Sequence, residues 1–211
     1  MVGLLSIRSV KAIAALALLL LSACAGRLAP QPVSAEQRSI TREARTAEQD
    51  RSPLKRPLRD PKIVVKKAQR RLLLFSAGKL VRTYQIGLGL SPSGDKVRAG
   101  DRRTLEGEFY VFTKNDKSAF YLSLGLSYPN TAHAERGLRD GLITRAQYDA
   151  ITRALRAKKT PLQNTHLGGD IYIHGNGAQS DWTWGCVALE NEDIRELFNA
   201  VNVGTPVVIE P

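Results

Sequence analysis

The sequence is poor in cysteine and histidine, and these shortages narrow its chemistry. Only Cys24 and Cys186 occur among 211 residues. Cys24 lies in an N-terminal targeting segment, described below. Cys186 is then the one thiol left in the mature domain, which excludes an intramolecular disulfide framework. The three histidines are His133, His166 and His174. A zinc set of His166, His174 and Cys186 has no second cysteine and no standard ligand spacing. No metal and no organic cofactor is expected. An aromatic RNA-binding signature, zinc-finger spacing and a single long basic helix are all missing, so no nucleic-acid partner is expected either. There is no internal repeat.

What is present fits a globular chain of one domain with additions at one end: 43% hydrophobic and 24% charged residues. The balance is basic, with 31 Lys and Arg against 20 Asp and Glu, a formal charge of +11. That charge suits a membrane surface or an acidic polymer, and is equally met by a soluble protein with a basic linker.

Residues 1–23 read as an address. Arg8 and Lys11 precede an apolar run over residues 12–21, ten residues long. That is the length of a signal-peptide core and too short for a membrane-spanning helix. Leu21-Ser22-Ala23-Cys24 resembles the bacterial lipobox, in which the cysteine is lipidated and becomes the mature N-terminus; an ordinary cleaved signal with an incidental Cys24 is the alternative. Two or more acyl chains give stable anchoring. The resemblance implies a bacterial envelope lipoprotein, and Ala25, where an aspartate would favour inner-membrane retention, points to the outer membrane. Residues 24–60 hold Pro30, Pro32, Pro53 and Pro57 with many charges and few large apolar residues. Such a segment buries too little to offset its ordering entropy and reads as a flexible tether.

Residues 61–211 change character. Strands are predicted over residues 62–67, 71–76, 80–89, 108–114, 119–126, 170–174 and 206–210, with Gly and Pro between them. Thr144 and Gln147 have capping-box spacing, and Tyr148, Ile151 and Leu155 follow as a helical apolar face. A shorter helix is expected over residues 132–139. Asn191 is expected to cap a last helix carrying Ile194, Leu197, Phe198 and Val201. The domain is therefore mainly β, with a helical insertion and a C-terminal helix.

His174 ends a β run and is followed by Gly175. Cys186 follows Thr183-Trp184-Gly185. Both sit where a scaffold displays functional side chains on loops. A free thiol is mostly protonated at neutral pH, and an adjacent imidazole can take that proton and later return it to a leaving amine. Backbone N–H groups near Gly185 and Cys186 can serve as an oxyanion site, since glycine lets a carbonyl approach the backbone. Asp181 and a backbone carbonyl are both candidates to orient His174. A buried structural thiol and a satisfied polar histidine are the alternative reading.

At these residues the sequence resembles the L,D-transpeptidase (YkuD-type) catalytic domain. The family's His-Gly and Ser/Thr-x-Gly-Cys elements read here as His174-Gly175 and Thr183-Trp184-Gly185-Cys186-Val187. Gly100-Asp101 with Thr104 to Gly107, and Ser123-Leu124 with Tyr128-Pro129-Asn130, resemble further family segments. The likeness runs from about residue 62 to 209. It implies a β-sandwich or barrel with the cysteine in a cleft. It implies that Cys186 attacks a carbonyl in a peptidoglycan stem peptide, that His174 is general base and acid, and that Gly185, Thr183 and Gly175 line the cleft and oxyanion region. With the lipid at Cys24, it implies a periplasmic enzyme held to the membrane of a Gram-negative-type envelope.

Two positions depart from the common family pattern. Ala188 stands where many members have an arginine able to clamp a carboxylate, and Trp184 stands where many have histidine. This variant resembles a branch that includes wall-remodelling hydrolases. Transpeptidase and amide hydrolase share one acyl-enzyme and differ in what attacks it; a silent wall-binding lipoprotein is the third reading.

Overall fold

The computed structural model describes residues 52–211. Cys24, the signal segment and most of the expected tether lie outside the described residues.

Eight strands form one sheet: β1 (Lys62–Lys66), β2 (Arg71–Ser76), β3 (Lys79–Gln85), β4 (Gly107–Ser118), β5 (Tyr121–Leu126), β6 (Tyr172–His174), β7 (Val187–Ala188) and β8 (Pro206–Glu210), in the order β3-β2-β1-β8-β4-β5-β6-β7. The C-terminal strand β8 is central, parallel to β1 and antiparallel to β4. Ile63, Val64 and Val65 are all buried, as a strand covered on both faces requires.

The sheet curls until its ends meet. The chain beyond β3 exchanges two hydrogen bonds with β7: Gly87 N–H to Ala188 O at 2.9 Å, and Ala188 N–H to Gly87 O at 2.8 Å. Gly89 and Thr183 form a parallel bridge, in which Leu90 N–H donates to Thr183 O at 3.0 Å and Thr183 N–H to Leu88 O at 3.1 Å. This contact covers the outer edge of β7, and it needs glycine. A Cβ on Gly87 would lie 2.2 Å from Ser180 O, and one on Gly89 2.2 Å from Arg102 O. The fold is mainly β and barrel-like, as the strand pattern predicts.

Three helices complete it. Helix α1 (Thr131–Arg139) is capped by Asn130, whose side chain accepts from His133 N–H. Helix α2 (Arg145–Arg156) begins with the expected capping box of Thr144 and Gln147. Ala134, Ile143 and Ile151 from this insertion belong to the main core, so the insertion is a packed element and not a loose lid. Helix α3 (Asn191–Ala200) buries Ile194 and Leu197. Its N-cap is Glu190, without a side-chain cap bond. Asn191, expected as the cap, instead accepts from Asn176 N–H at 2.9 Å and so holds the loop after His174.

Residues 52–60 were expected to be tether. In the structure Leu54 and Leu58 pack against the core. Arg82 donates to Ser52 O at 2.5 Å, and Ala77 N–H to Arg59 O at 2.6 Å. Two leucines in a proline-rich charged stretch were too sparse a pattern to reveal this docking.

Candidate active site

The site sits where the sheet closes. β6 and β7 run parallel, with Ile173 opposite Val187 and His174 opposite Ala188. Side chains alternate along an extended chain. Cys186 therefore falls on the side of Ala188, which is the side of His174. The register brings the two predicted residues to one face of the closure. It does not join them: among the described residues, no hydrogen bond links the imidazole and the thiol.

His174 is held from three directions. Its Nδ1 lies 2.7 Å from Gly175 O. A carbonyl only accepts, so Nδ1 carries the proton and, in the neutral ring, Nε2 holds the lone pair. Phe120 packs on the ring at 4.7 Å between centroids, and Trp182 meets it edge-on at 5.6 Å. Burial lowers the His174 pKa, and the Gly175 carbonyl opposes this only in part. The resting imidazole is a neutral base.

Asp181 does not orient His174. Arg70 grips its carboxylate through Nε at 3.1 Å and Nη2 at 2.6 Å, and Leu88 N–H donates to it at 2.9 Å. Asp181 ties β3's continuation and Arg70 to the loop before Cys186 instead. The backbone carbonyl of Gly175 has the orienting place.

The thiol of Cys186 accepts from Tyr172 N–H at 3.4 Å and lies 3.7 Å from Asp170 O. Burial pushes its pKa up to about 11, against the lowering effect of the Tyr172 amide. The resting sulfur is a protonated thiol. Asp170 takes φ +53, uncommon outside glycine but tolerated by aspartate, and its carbonyl lies against the sulfur.

Thr183 organises the loop around the thiol. Its Oγ1–H donates to Cys186 O at 2.8 Å, and the same oxygen accepts from Gly185 N–H at 3.1 Å. The Gly185 amide is thus occupied, whereas the Cys186 amide has no partner among the described residues. Gly185 has φ +130, and a Cβ there would lie 2.8 Å from Arg103 O. Glycine is required for this turn. Gly175 is required for packing: its Cβ would meet Asn191 Oδ1 at 2.5 Å, and its N–H is shared between Phe120 O and Leu122 O.

His133 and His166 stand apart. His133 is buried, with Nε2 at 3.0 Å from Asp95, and His166 is exposed. Among the described residues there is no group of three or more His, Cys, Asp or Glu able to hold a metal.

Phe120, Trp182 and Tyr172 were not anticipated as site residues. Phe120 belonged to an expected strand over residues 119–126. The structure places it in the turn between β4 and β5, with Tyr121 at φ +73. Aromatic residues at a turn tip were the available signal.

A model of the L,D-transpeptidase catalytic domain family matches residues 60–209. Among solved structures, an L,D-transpeptidase from Xylanimonas cellulosilytica is 15% identical, over 84% of this chain and 71% of its own, with a TM-score of 0.44. Bd1075 from Bdellovibrio bacteriovorus is 21% identical, over 72% of this chain and 48% of its own, with a TM-score of 0.47. The helical cell shape determining protein Pgp2 from Campylobacter jejuni is 20% identical, over 81% of this chain and 54% of its own, with a TM-score of 0.47. This chain thus spans about half the length of the last two. No curated protein matches the sequence.

Proposed function

The chain belongs to the L,D-transpeptidase catalytic domain family, and from that premise we propose that it is a periplasmic cysteine acyltransferase acting on peptidoglycan stem peptides. The observation that carries this reading is the state of His174. Its Nδ1–H is committed to Gly175 O at 2.7 Å, so its basic nitrogen is Nε2, on the face it shares with Cys186.

The chemistry follows from these groups. Cys186 Sγ attacks a peptide carbonyl while its proton passes to His174 Nε2. The carbonyl oxygen gains charge and is met by the Cys186 N–H, the donor the loop leaves free. The tetrahedral adduct collapses, the C–N bond breaks, and the leaving amine takes the proton from His174. An acyl-thioester remains. An incoming amine then gives up its proton to His174, attacks the thioester and restores the thiol; this makes a cross-link.

The raised thiol pKa means that this pair is not a standing thiolate–imidazolium ion pair. Proton transfer is coupled to substrate binding, which dries the site and brings the carbonyl to the sulfur. Residues 1–24 support anchoring: the charged start, the apolar run and the lipobox-like Leu21 to Cys24. The lipid at Cys24 holds the domain at the outer membrane, and a basic domain suits a polymer rich in carboxylates.

The test uses the full chain and its Cys186→Ala variant with purified peptidoglycan and tetrapeptide muropeptides, read by mass spectrometry. Cross-linked masses from the intact protein alone support the transpeptidase. Amide bonds lost with water added make it a hydrolase, and identical products from both proteins make it a binding module. Labelled palmitate incorporated by the chain, and not by Cys24→Ser, tests the anchor.

A further inference from the structure

Five large apolar side chains are exposed among the described residues: Leu90, Phe120, Tyr121, Trp184 and Val203. The first four lie on segments that border the site, and Val203 lies apart, in the turn before β8. Phe120 and Tyr121 form the hairpin tip over His174. Leu90 donates its N–H to Thr183 O, and Trp184 precedes Gly185-Cys186. Apolar surface gathered in this way marks a place where something binds.

Trp184 is the most open of the five, at 66% exposure, and it is not bare. The guanidinium of Arg102 lies over its ring, 4.8 Å from the centroid. Arg102 is itself exposed and makes no ion pair or side-chain hydrogen bond among the described residues. Its backbone is pinned so that the side chain projects there. Arg102 takes φ +58, costly for a residue with a Cβ. Its carbonyl accepts from Ser91 N–H at 3.0 Å, and the Cα of Gly89 closes against that carbonyl. Gly89 N–H is fixed in turn to Thr104 Oγ1 at 2.9 Å. A strained, multiply anchored backbone thus carries an unneutralised guanidinium onto an aromatic platform two residues from the candidate nucleophile.

The position two residues after Cys186 cannot supply such a charge. Ala188 is fully buried and hydrogen-bonded to Gly87 on both its N–H and its C=O. Lys96 also acts on the Cys186 thiol, but its ammonium is tied to Asp101 at 2.8 Å and to Arg98 O at 3.1 Å; Arg102, on the same loop, has no ion pair among the described residues.

We propose that Arg102, stacked on Trp184, is a carboxylate-binding subsite that holds a free carboxyl group of the peptide ligand beside Cys186. The fork of the guanidinium pairs with a carboxylate through two parallel N–H···O bonds, while the indole face carries the cation and covers the apolar part of the ligand. This subsite rests on the peptidoglycan reading above and names the ligand group that the reading leaves open.

The test separates binding from turnover. The full chain carrying Cys186→Ala is titrated with a disaccharide-tetrapeptide having free carboxylates, and with the same ligand converted to carboxamides. Calorimetry reads both. Arg102→Leu, Arg102→Lys, Trp184→Leu and Arg139→Leu are made in the same background. The last removes one charge from an exposed site, 70% accessible, at the end of α1.

The acid binds more tightly than the amide by at least about tenfold, the scale of a charged hydrogen bond. Arg102→Leu erases that preference. Arg102→Lys keeps part of it, because the charge remains and the fork is lost. Trp184→Leu weakens the acid by about threefold, the scale of an exposed cation–π contact, and Arg139→Leu changes nothing. Equal binding of acid and amide, or a preference that survives Arg102→Leu, overturns the subsite. The wild-type full chain is assayed in parallel for turnover. Arg102-dependent binding without turnover sinks the catalytic reading and keeps the subsite. Turnover without acid preference does the reverse, and neither binding nor turnover removes both.

Discussion

The Nδ1–H of His174 is given to the carbonyl of the next residue, Gly175, at 2.7 Å, and not to a carboxylate. A neutral partner fixes the tautomer without stabilising the imidazolium as a buried carboxylate would. Burial lowers the His174 pKa and raises that of Cys186 to about 11. Both shifts favour the neutral forms. Alkylation of Cys186 by iodoacetamide in the ligand-free protein will therefore rise about tenfold per pH unit between pH 7 and 10, following the thiolate fraction. Peptide mass spectrometry at Cys186 reads the rate. A plateau already reached near pH 6 would mean a preformed ion pair and would contradict the resting state described here. The acid limb of turnover will lie at or below the ordinary histidine value of about 6.5, since the base must stay neutral and its pKa is lowered.

Asp181 offers a contrast with that role. It is bonded by Arg70 and by Leu88 N–H, so Asp181→Asn weakens the closure of the sheet and leaves the imidazole tautomer alone. The expected outcome is a loss of about 1–3 kcal/mol in denaturant unfolding, the scale of a charged hydrogen bond removed. The acid limb of the pH–rate profile keeps its midpoint. A shift of that midpoint by a full unit would return Asp181 to the orienting role.

The sequence carried the strands and helices of this domain clearly, because alternation, glycine punctuation and the Thr144–Gln147 capping box are local signals. It also placed Cys186 and His174 at strand ends. It could not show that the chain after β3 meets β7, since that contact joins Gly87 to Ala188 across a hundred intervening residues. The partner of Asp181 was hidden for the same reason: Arg70 is 111 positions away. Asn191 misled because asparagine before an apolar helical pattern is the ordinary cap signal. Its side chain was drawn off by Asn176 N–H, a partner that folding alone supplies.

Thr183 makes a sharper prediction than the glycines beside it. Its hydroxyl both donates to Cys186 O and accepts from Gly185 N–H. Thr183→Val keeps the shape and strands both backbone groups, at a cost of roughly 1–3 kcal/mol for each one left dry. Turnover falls at least about tenfold, because the loop that presents the Cys186 amide is no longer fixed. Thr183→Ser keeps the hydroxyl and restores most of the rate. A Val variant as active as the Ser variant would show that the loop holds its geometry by other means.

The acid stability of the domain should report on Asp95, which joins the helical insertion to the loop before Asp101. Its carboxylate meets His133 Nε2 at 3.0 Å and Arg136 at 2.9 Å, and accepts from Glu106 N–H at 2.8 Å. Burial alone would raise its pKa; the contacts with His133, Glu106 and Arg136 outweigh that and hold it at about 2. The folded pKa is depressed below the unfolded one. The resulting stability is fully present above the unfolded value of about 3.9 and is lost as pH falls toward the folded value. Unfolding in denaturant, compared between wild type and Asp95→Asn, will show a difference on the order of 2 kcal/mol at pH 7. That difference shrinks between about pH 4 and pH 2, where wild-type Asp95 takes up its own proton. A gap that stays constant down to pH 2 would mean that Asp95 acts through shape and not through charge. The charge reading has a structural corollary. The insertion is clamped to the loop that also carries Arg102, so Asp95→Asn should loosen acid-ligand binding at Arg102 more than it disturbs alkylation of Cys186.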